Sequence, residues 1–353
     1  MKRKCLLILT IPLLFSISSC KEGTKQKEYF TLWDASKSSA LTTLKDFVND
    51  VTNVNSPNYI PVEDRIATFD MDGTFVGELY PTYFEYNMLE YRVLEDASYK
   101  DIAPESVKEA AQIIKDYSTG VITKFPDHFD MTHALAAAEA YKGMTLKEFD
   151  EYVKEYAKKP ANGFKNMTYG ESFYKPMLEV FDYLNDNHFT NYVVSGSDRF
   201  ICRSLVESIG IEPNRVIGMD VVLKSTNQGD DDGVNYTMSA EENLVRTEEL
   251  IIKNLKTNKV KQIAQEIGKV PVLSFGNSSG DSAMHNYCKG NTKYKRTEAF
   301  MLIADDDVRD HANLEETAKR KAKWEAANYN IISMKDDFKT IYGYDVEKVA
   351  FTF

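Results

Sequence analysis

Cysteine is scarce in this chain: 4 of its 353 residues, at Cys5, Cys20, Cys202 and Cys288. No C-x-x-C pair and no histidine-rich spacing accompanies them, which leaves no zinc motif to consider. Cys202 and Cys288 fall where helices are expected after two different strands, so both read as free, buried thiols and not as a disulfide. Long apolar runs are lacking as well. The stretch from Leu6 to Ile17 is interrupted by Thr10, Pro12 and Ser16 and is too short to cross a bilayer comfortably as a helix. Positive charge is in deficit, with 43 Lys and Arg against 54 Asp and Glu and a formal net charge of −11. An acidic surface argues against a nucleic-acid partner and against an electrostatic grip on anionic lipid.

What is present begins with an export signature. Lys2, Arg3 and Lys4 precede the apolar stretch, which closes on Ile17-Ser18-Ser19-Cys20, small residues before a cysteine. This ending looks like a bacterial lipobox, in which Cys20 becomes the lipidated N-terminus. The alternative is an ordinary cleavable signal in which Cys20 is incidental. The expectation is a lipoprotein signal over residues 1–20 and a polar tether over 21–36. The remainder, still more acidic once the three basic residues are lost, would be held at the bacterial cell envelope by lipid alone, outside the cytoplasm.

Further along, apolar spacing predicts a helix from Ser38 or Ser39 to about Val51 and a strand running into Asp70. From Tyr80 to about Lys159 no good strand appears, and four helices are expected near 82–97, 105–117, 128–142 and 145–158. Pro104 and Thr145 mark starts, Gly120 and Gly143 stops. Beyond Lys175-Pro176, strands near 191–197, 215–223, 270–275, 300–304 and 330–333 alternate with helices near 199–209, 258–267 and 313–326. The Gly/Asp/Asn-rich stretch from Thr226 to Asn235 reads as a hairpin tip. Alternation of this kind predicts an α/β fold with a doubly wound parallel sheet, helices on both faces, and a helical block inserted as a second domain. Sites in such sheets form at the carboxyl ends of the strands, where Asp70, Ser195, Asn277 and Asp281 all fall.

The run Ile66-Ala-Thr-Phe-Asp-Met-Asp-Gly-Thr74 carries the chemistry. Residues two apart in a strand share a side, so Asp70 and Asp72 would meet at one mouth. Two carboxylates that close need a divalent cation between them or a proton on one. Asp70 is the candidate nucleophile and Asp72 the acid/base beside it, with the Asp72 main-chain carbonyl also able to face a metal. Ser195, helped by the N–H of Gly196, can donate to a phosphoryl oxygen. Lys259 can place an ammonium between Asp70 and the phosphoryl group, with Lys253, Lys256 and Lys261 as rivals. Asn277 and Asp281, in Gly-Asn-Ser-Ser-Gly-Asp, offer hard oxygens suited to Mg²⁺.

Asp-x-Asp-Gly-Thr is also the first signature of the haloacid dehalogenase-like (HAD) phosphotransferases. From about residue 31 onward the chain resembles their phosphoserine phosphatase-like branch, and its exported bacterial relatives more closely. The shared landmarks are Ile66–Thr74, Asn191-Tyr-Val-Val-Ser-Gly196, Arg215-Val-Ile-Gly218, Gly276–Asp281 and Ser333-Met-Lys-Asp-Asp337. The resemblance implies a core over 37–77 and 176–353 with a helical cap over 78–175. It also implies that Asp70 is phosphorylated, Asp72 is the acid/base, Ser195 binds phosphate, Lys259 is the motif lysine, and Asp70, Asp72, Asn277 and Asp281 serve Mg²⁺. Many relatives carry Asp where Asn277 stands. Glu78 sits where cap-bearing relatives often place an acidic substrate contact. An acid there, with Tyr80, Tyr83, Phe84, Tyr86 and Tyr91 nearby, would suit an amine-bearing ester such as phosphocholine or phosphoserine. The alternative for these aromatics is packing within the cap. The function expected is an Mg²⁺-dependent phosphomonoester hydrolase acting on a small phosphate ester. Its rivals are a phosphonatase or dehalogenase, against which Asp72 counts, and a non-catalytic envelope lipoprotein, against which the complete motif set counts. No protein partner is inferable.

Overall fold

Short apolar strands and amphipathic helices alternate along residues 27–353, the part of the chain that the computed structural model describes. The signal segment, Cys20 and residues 21–26 lie outside the described residues. In chain order the elements are α1 (Ser39–Thr52), β1 (Ile66–Phe69), α2 (Phe84–Leu94), α3 (Glu105–Ser118), α4 (Phe129–Ala140) and α5 (Leu146–Ala157). Then come β2 (Phe164–Lys165), α6 (Lys175–Asp186), β3 (Thr190–Asp198), α7 (Arg199–Val206), β4 (Val216–Ser225), β5 (Leu244–Ile252) and α8 (Thr257–Gln262). The chain continues through β6 (Leu273–Gly276), α9 (Ser282–Lys289), β7 (Glu298–Ile303), α10 (Leu314–Ala326), β8 (Asn330–Ser333), α11 (Met334–Asp337) and β9 (Glu347–Lys348).

Seven strands form the main sheet in the order β5-β4-β3-β1-β6-β7-β8. All neighbours run parallel except β4 and β5, which form the antiparallel hairpin expected around Thr226–Asn235. The fold is thus α/β with a mostly parallel sheet, as the alternation predicts. β1 is buried at all four positions, as a strand covered on both faces must be. Its Phe69 sits opposite Phe275 of β6, which sits opposite Phe300 of β7. The three rings stack across the strands with centroids 4.4 and 4.9 Å apart, which fixes register through aromatic contact. The chain runs from β1 to β3 and β4 on one side, then returns to β6 on the other. The strand order therefore reverses beside β1, and a crevice opens at its carboxyl end.

Between β1 and β3 the four helices gather into one block. α5 begins with a capping box, Thr145 and Glu148 each satisfying the other's main-chain N–H. The turn before α5 is tied to the hairpin, with Gly143 N–H donating to the Arg246 carbonyl and Arg246 N–H to that of Met144. The helix expected at 258–267 is α-helical only to Gln262 and closes as a π turn over Ile263–Ile267, ending at Gly268 with φ +69°.

One expectation is corrected. Part of the stretch read as a free polar tether is packed onto the core: Phe30 is 4% and Trp33 1% exposed. Trp33 Nε1 donates to the Pro176 carbonyl, while the N–H groups of Thr31 and Leu32 reach the Glu179 carboxylate. Two aromatics in a polar stretch outweigh its average, because burying each ring is worth about 1.5–3 kcal/mol.

Candidate active site

Asp70 follows β1 directly and its N–H donates to the Phe275 carbonyl, so the main sheet hydrogen bonding carries the residue to the crevice. Asp70 and Asp72 both line a cavity of about 140 Å³, while Met71 between them is fully buried. The strand alternation expected from sequence holds through this turn. Gly73 follows with φ +75°, and a Cβ there would lie 1.8 Å from Asn277 Nδ2. Only glycine lets this loop turn left-handed and still admit Asn277 beside it.

Lys259, from α8, is 1% exposed and bonds Asp70 Oδ1 at 2.6 Å and Asp281 Oδ1 at 2.7 Å. Of the four lysines weighed from sequence, it is the one joined to the Asp70 carboxylate. Burial works against its charge, but Asp281 and Asp70 outweigh that and hold the ammonium above its usual range. Burial and the Asp281 charge push the Asp70 carboxyl up, to about 7, against the pull of Lys259. Asp281 Oδ2 accepts the N–H groups of Asn277 and Ser278, so both of its oxygens face protein donors. These contacts tie it to Lys259 and to the loop that carries Asn277.

Asp72 Oδ2 accepts the Ser197 hydroxyl at 2.7 Å. Burial raises its carboxyl to about 7 against that hydrogen bond, with Glu85 and Glu78 adding to the rise. A carboxyl poised near neutrality suits a group that must give and take a proton. Ser195 lies near the carboxyl end of β3, as expected. It is fully buried, its Oγ accepts the Ser197 N–H, and the cavity wall at this point is Gly196 and Ser197. The β3–β4 register shifts over this same stretch, between Val194 and Asp198.

The residues fit a hard cation in part. Asp72 Oδ1 and Asn277 Oδ1 are buried oxygens without a donor among the described residues, and both side chains line the cavity with Asp70. Carboxylate, amide and main-chain oxygens are the donors Mg²⁺ takes. No grouping of three or more His, Cys, Asp or Glu side chains among the described residues is arranged to hold a metal. A set that uses the Asn277 amide and the Asp72 carbonyl falls outside such groupings.

The opposite wall comes from the helical block and the hairpin. Glu85 of α2 takes Lys253 Nζ on Oε1 and the Asp198 N–H on Oε2, each at 3.0 Å. Burial alone would raise Glu85, but the Lys253 ammonium and the Asp198 N–H outweigh it and keep the carboxyl low. Burial lowers His133 to about 4, so it stays neutral as it stacks on Tyr86. Asp198 pairs with Arg246 at 2.6 Å, whose guanidinium lies over Phe149 of α5. Asp130 and the expected Glu78 complete this wall. Glu78 accepts Asn277 Nδ2 at 3.0 Å, and burial raises it to about 7. The aromatics divide: Tyr83 and Tyr86 line the cavity, whereas Tyr80 packs on Tyr169, Phe84 on Tyr156, and Tyr91 beside Tyr156. Ser197, Glu85 and Asp130 carry no signal in the sequence beyond their types. Cys202 and Cys288 are free and buried, as expected.

No family model and no curated protein matches the chain. Among solved structures it is similar to a conserved protein of unknown function from Anaerococcus prevotii, at 14% identity over 84% of this chain and 92% of that one, with a TM-score of 0.49. It is similar to a phosphoserine phosphohydrolase-like protein from Francisella tularensis, at 14% identity over 76% and 94% of the two chains, TM-score 0.41. It is also similar to cytosolic 5′-nucleotidase IIIB bound to cytidine, at 12% identity over 85% of each chain, TM-score 0.46. These are likenesses of architecture, and the chemistry is read from the site itself.

Proposed function

We propose that this chain is an Mg²⁺-dependent phosphomonoester hydrolase working through an aspartyl-phosphate on Asp70. One observation carries the reading. Asp70 sits at the sheet mouth, joined to buried Lys259, and a second carboxyl, Asp72, held by the Ser197 hydroxyl, lines the same cavity. An Asp70 oxygen attacks phosphorus, the bond to the leaving oxygen breaks, and Asp72 gives that oxygen its proton. Asp72 then takes a proton from water as the water attacks the acyl phosphate, freeing inorganic phosphate and restoring Asp70. Lys259 keeps Asp70 oriented and offsets the charge that gathers on the phosphoryl oxygens. Asp70, Asn277 and the Asp72 carbonyl would hold Mg²⁺, which when bound neutralises phosphoryl charge.

Residues 78–175 act as the cap in this reading, excluding water and contacting the leaving group. The carboxylates of Glu78 and Asp130 make amine-bearing esters, phosphocholine and phosphoserine among them, the first panel to try. Attachment to the cell envelope through Cys20 belongs to the same proposal, and Cys20→Ser should release the protein from the membrane fraction. The deciding experiment is hydrolysis of para-nitrophenyl phosphate with Mg²⁺ by wild type and Asp70→Asn. Wild-type turnover that disappears in the variant supports the reading, and equal rates in the two end it.

A further inference from the structure

Outside the catalytic cavity lies a second, larger hollow of about 480 Å³. The two share Glu78, Tyr83, Leu255, Ser278 and Gly280, so one opens onto the other. Its far wall is one face of α10, where Glu316, Lys319, Arg320 and Lys323 recur at helical spacing. Lys256 faces them from the turn before α8. Four cations against Glu78 and Glu316 make this hollow locally basic, in a chain whose acids outnumber its bases 54 to 43.

Solvated helix faces also carry lysines, so the pairing of each one matters. Lys319 bonds Glu315 and Arg320 bonds Glu316, both exposed pairs four residues apart on α10. Such pairs are weak and leave the cations available to a ligand. Lys256 and Lys323 form no ion pair among the described residues. Lys256 is held at φ +53°, a strained position for a residue with a Cβ, and its N–H is fixed to the Gly280 carbonyl. Arg320 reaches inward, lining a small cavity with Glu78, Asn277 and Gly73. The basic hollow is thus joined to the loop that faces Asp70.

We propose that this hollow binds a second anionic group of the substrate, so that the ester hydrolysed at Asp70 carries a further phosphate or carboxylate on its leaving group. The inference rests on the phosphomonoesterase reading for what occupies the inner cavity. The second anion lies between α10 and Lys256 while the ester phosphorus lies at Asp70. An amine close to Glu78 is compatible with it, because Lys256, Lys319 and Lys323 do not line the catalytic cavity.

Calorimetric titration of the full-length protein with Mg²⁺ and non-hydrolysable probes tests the proposal. Alkane bisphosphonates of three to six carbons are compared with the matching alkylphosphonates, and with phosphonates ending in a carboxylate to tell the two anions apart. One bisphosphonate length should bind about tenfold or more tighter than its monoanchored partner at low salt. That advantage should shrink as the Debye length falls to about 8 Å at physiological ionic strength, and fall to within about threefold in Lys319→Gln/Lys323→Gln. Equal affinities in the wild type, or an advantage that survives in the double variant, overturn the proposal. Turnover of para-nitrophenyl phosphate, which has no second anion, reports the inner site separately. Turnover with equal phosphonate affinities ends the outer site alone. A bisphosphonate advantage without turnover keeps the outer site and ends the hydrolase reading. Neither turnover nor binding ends both.

Discussion

The two walls of the catalytic cavity are built on opposite plans. On the sheet wall, Asp70, Lys259 and Asp281 converge from two strand ends and a helix, and Lys259 closes the gap between two carboxylates. On the helical wall, Glu85 hangs from α2 and is tied down by one lysine and one main-chain N–H. The first wall inherits its precision from the rigid centre of the sheet. The second packs on the outermost strand β5 and on α7, away from the centre of the sheet, so it is the side better placed to yield when substrate enters.

Breaking the sheet wall should cost most. Asp70→Asn should lower para-nitrophenyl phosphate turnover by about 10³-fold or more with circular dichroism unchanged. Asp72→Asn should lose about 10²-fold yet still bind a phosphate analogue such as trifluoroberyllate. A chelator should abolish activity with little movement of Tm, since the cation joins a few oxygens and not a core; full activity in excess chelator would remove the metal from the scheme.

Stability separates the walls next. Lys259→Met strands two buried carboxylates and should cost about 3–5 kcal/mol in a denaturant titration. Lys253→Met should cost less, about 1–3 kcal/mol, because Glu85 keeps the Asp198 N–H. Its KM should rise more than its kcat falls, the mark of a residue that positions the helical block. If Lys253→Met proves as costly as Lys259→Met, the walls are equally rigid and the contrast fails. The smallest effect sharpens the assignment of the serines. Ser197→Ala removes the hydrogen bond to Asp72 and should slow turnover about tenfold, with the acidic limb of the pH–rate profile displaced. Ser195→Ala should leave that limb where it is.

The same contrast explains what the sequence disclosed. Asp70, Asp72, Asn277 and Asp281 were legible because strand alternation and strand ends are local properties, and the parallel sheet carries them to one edge. Lys259 was separable from its neighbours only in part, since four lysines lie within nine residues and the helix phase there decides which one turns inward. Glu85, Asp130 and Lys253 belong to three distant segments and meet through tertiary packing alone. Ser197 carried no signal because its bond to Asp72 joins two strand ends far apart in the chain. The docked stretch around Phe30 and Trp33 was hidden by the polar composition surrounding it.

That docked stretch also fixes a direction. The chain runs along α6 from Lys27 and Tyr29, both bonded to Asp186, to Trp33 at Pro176. It therefore meets the domain at the amino-terminal edge of the strands, the pole opposite the cavity, with the 12 residues of α6, about 18 Å, in between. Any group joined to the chain ahead of Lys27 is therefore attached at the pole away from the cavity, and the mouth at the carboxyl ends of the strands stays clear of that attachment.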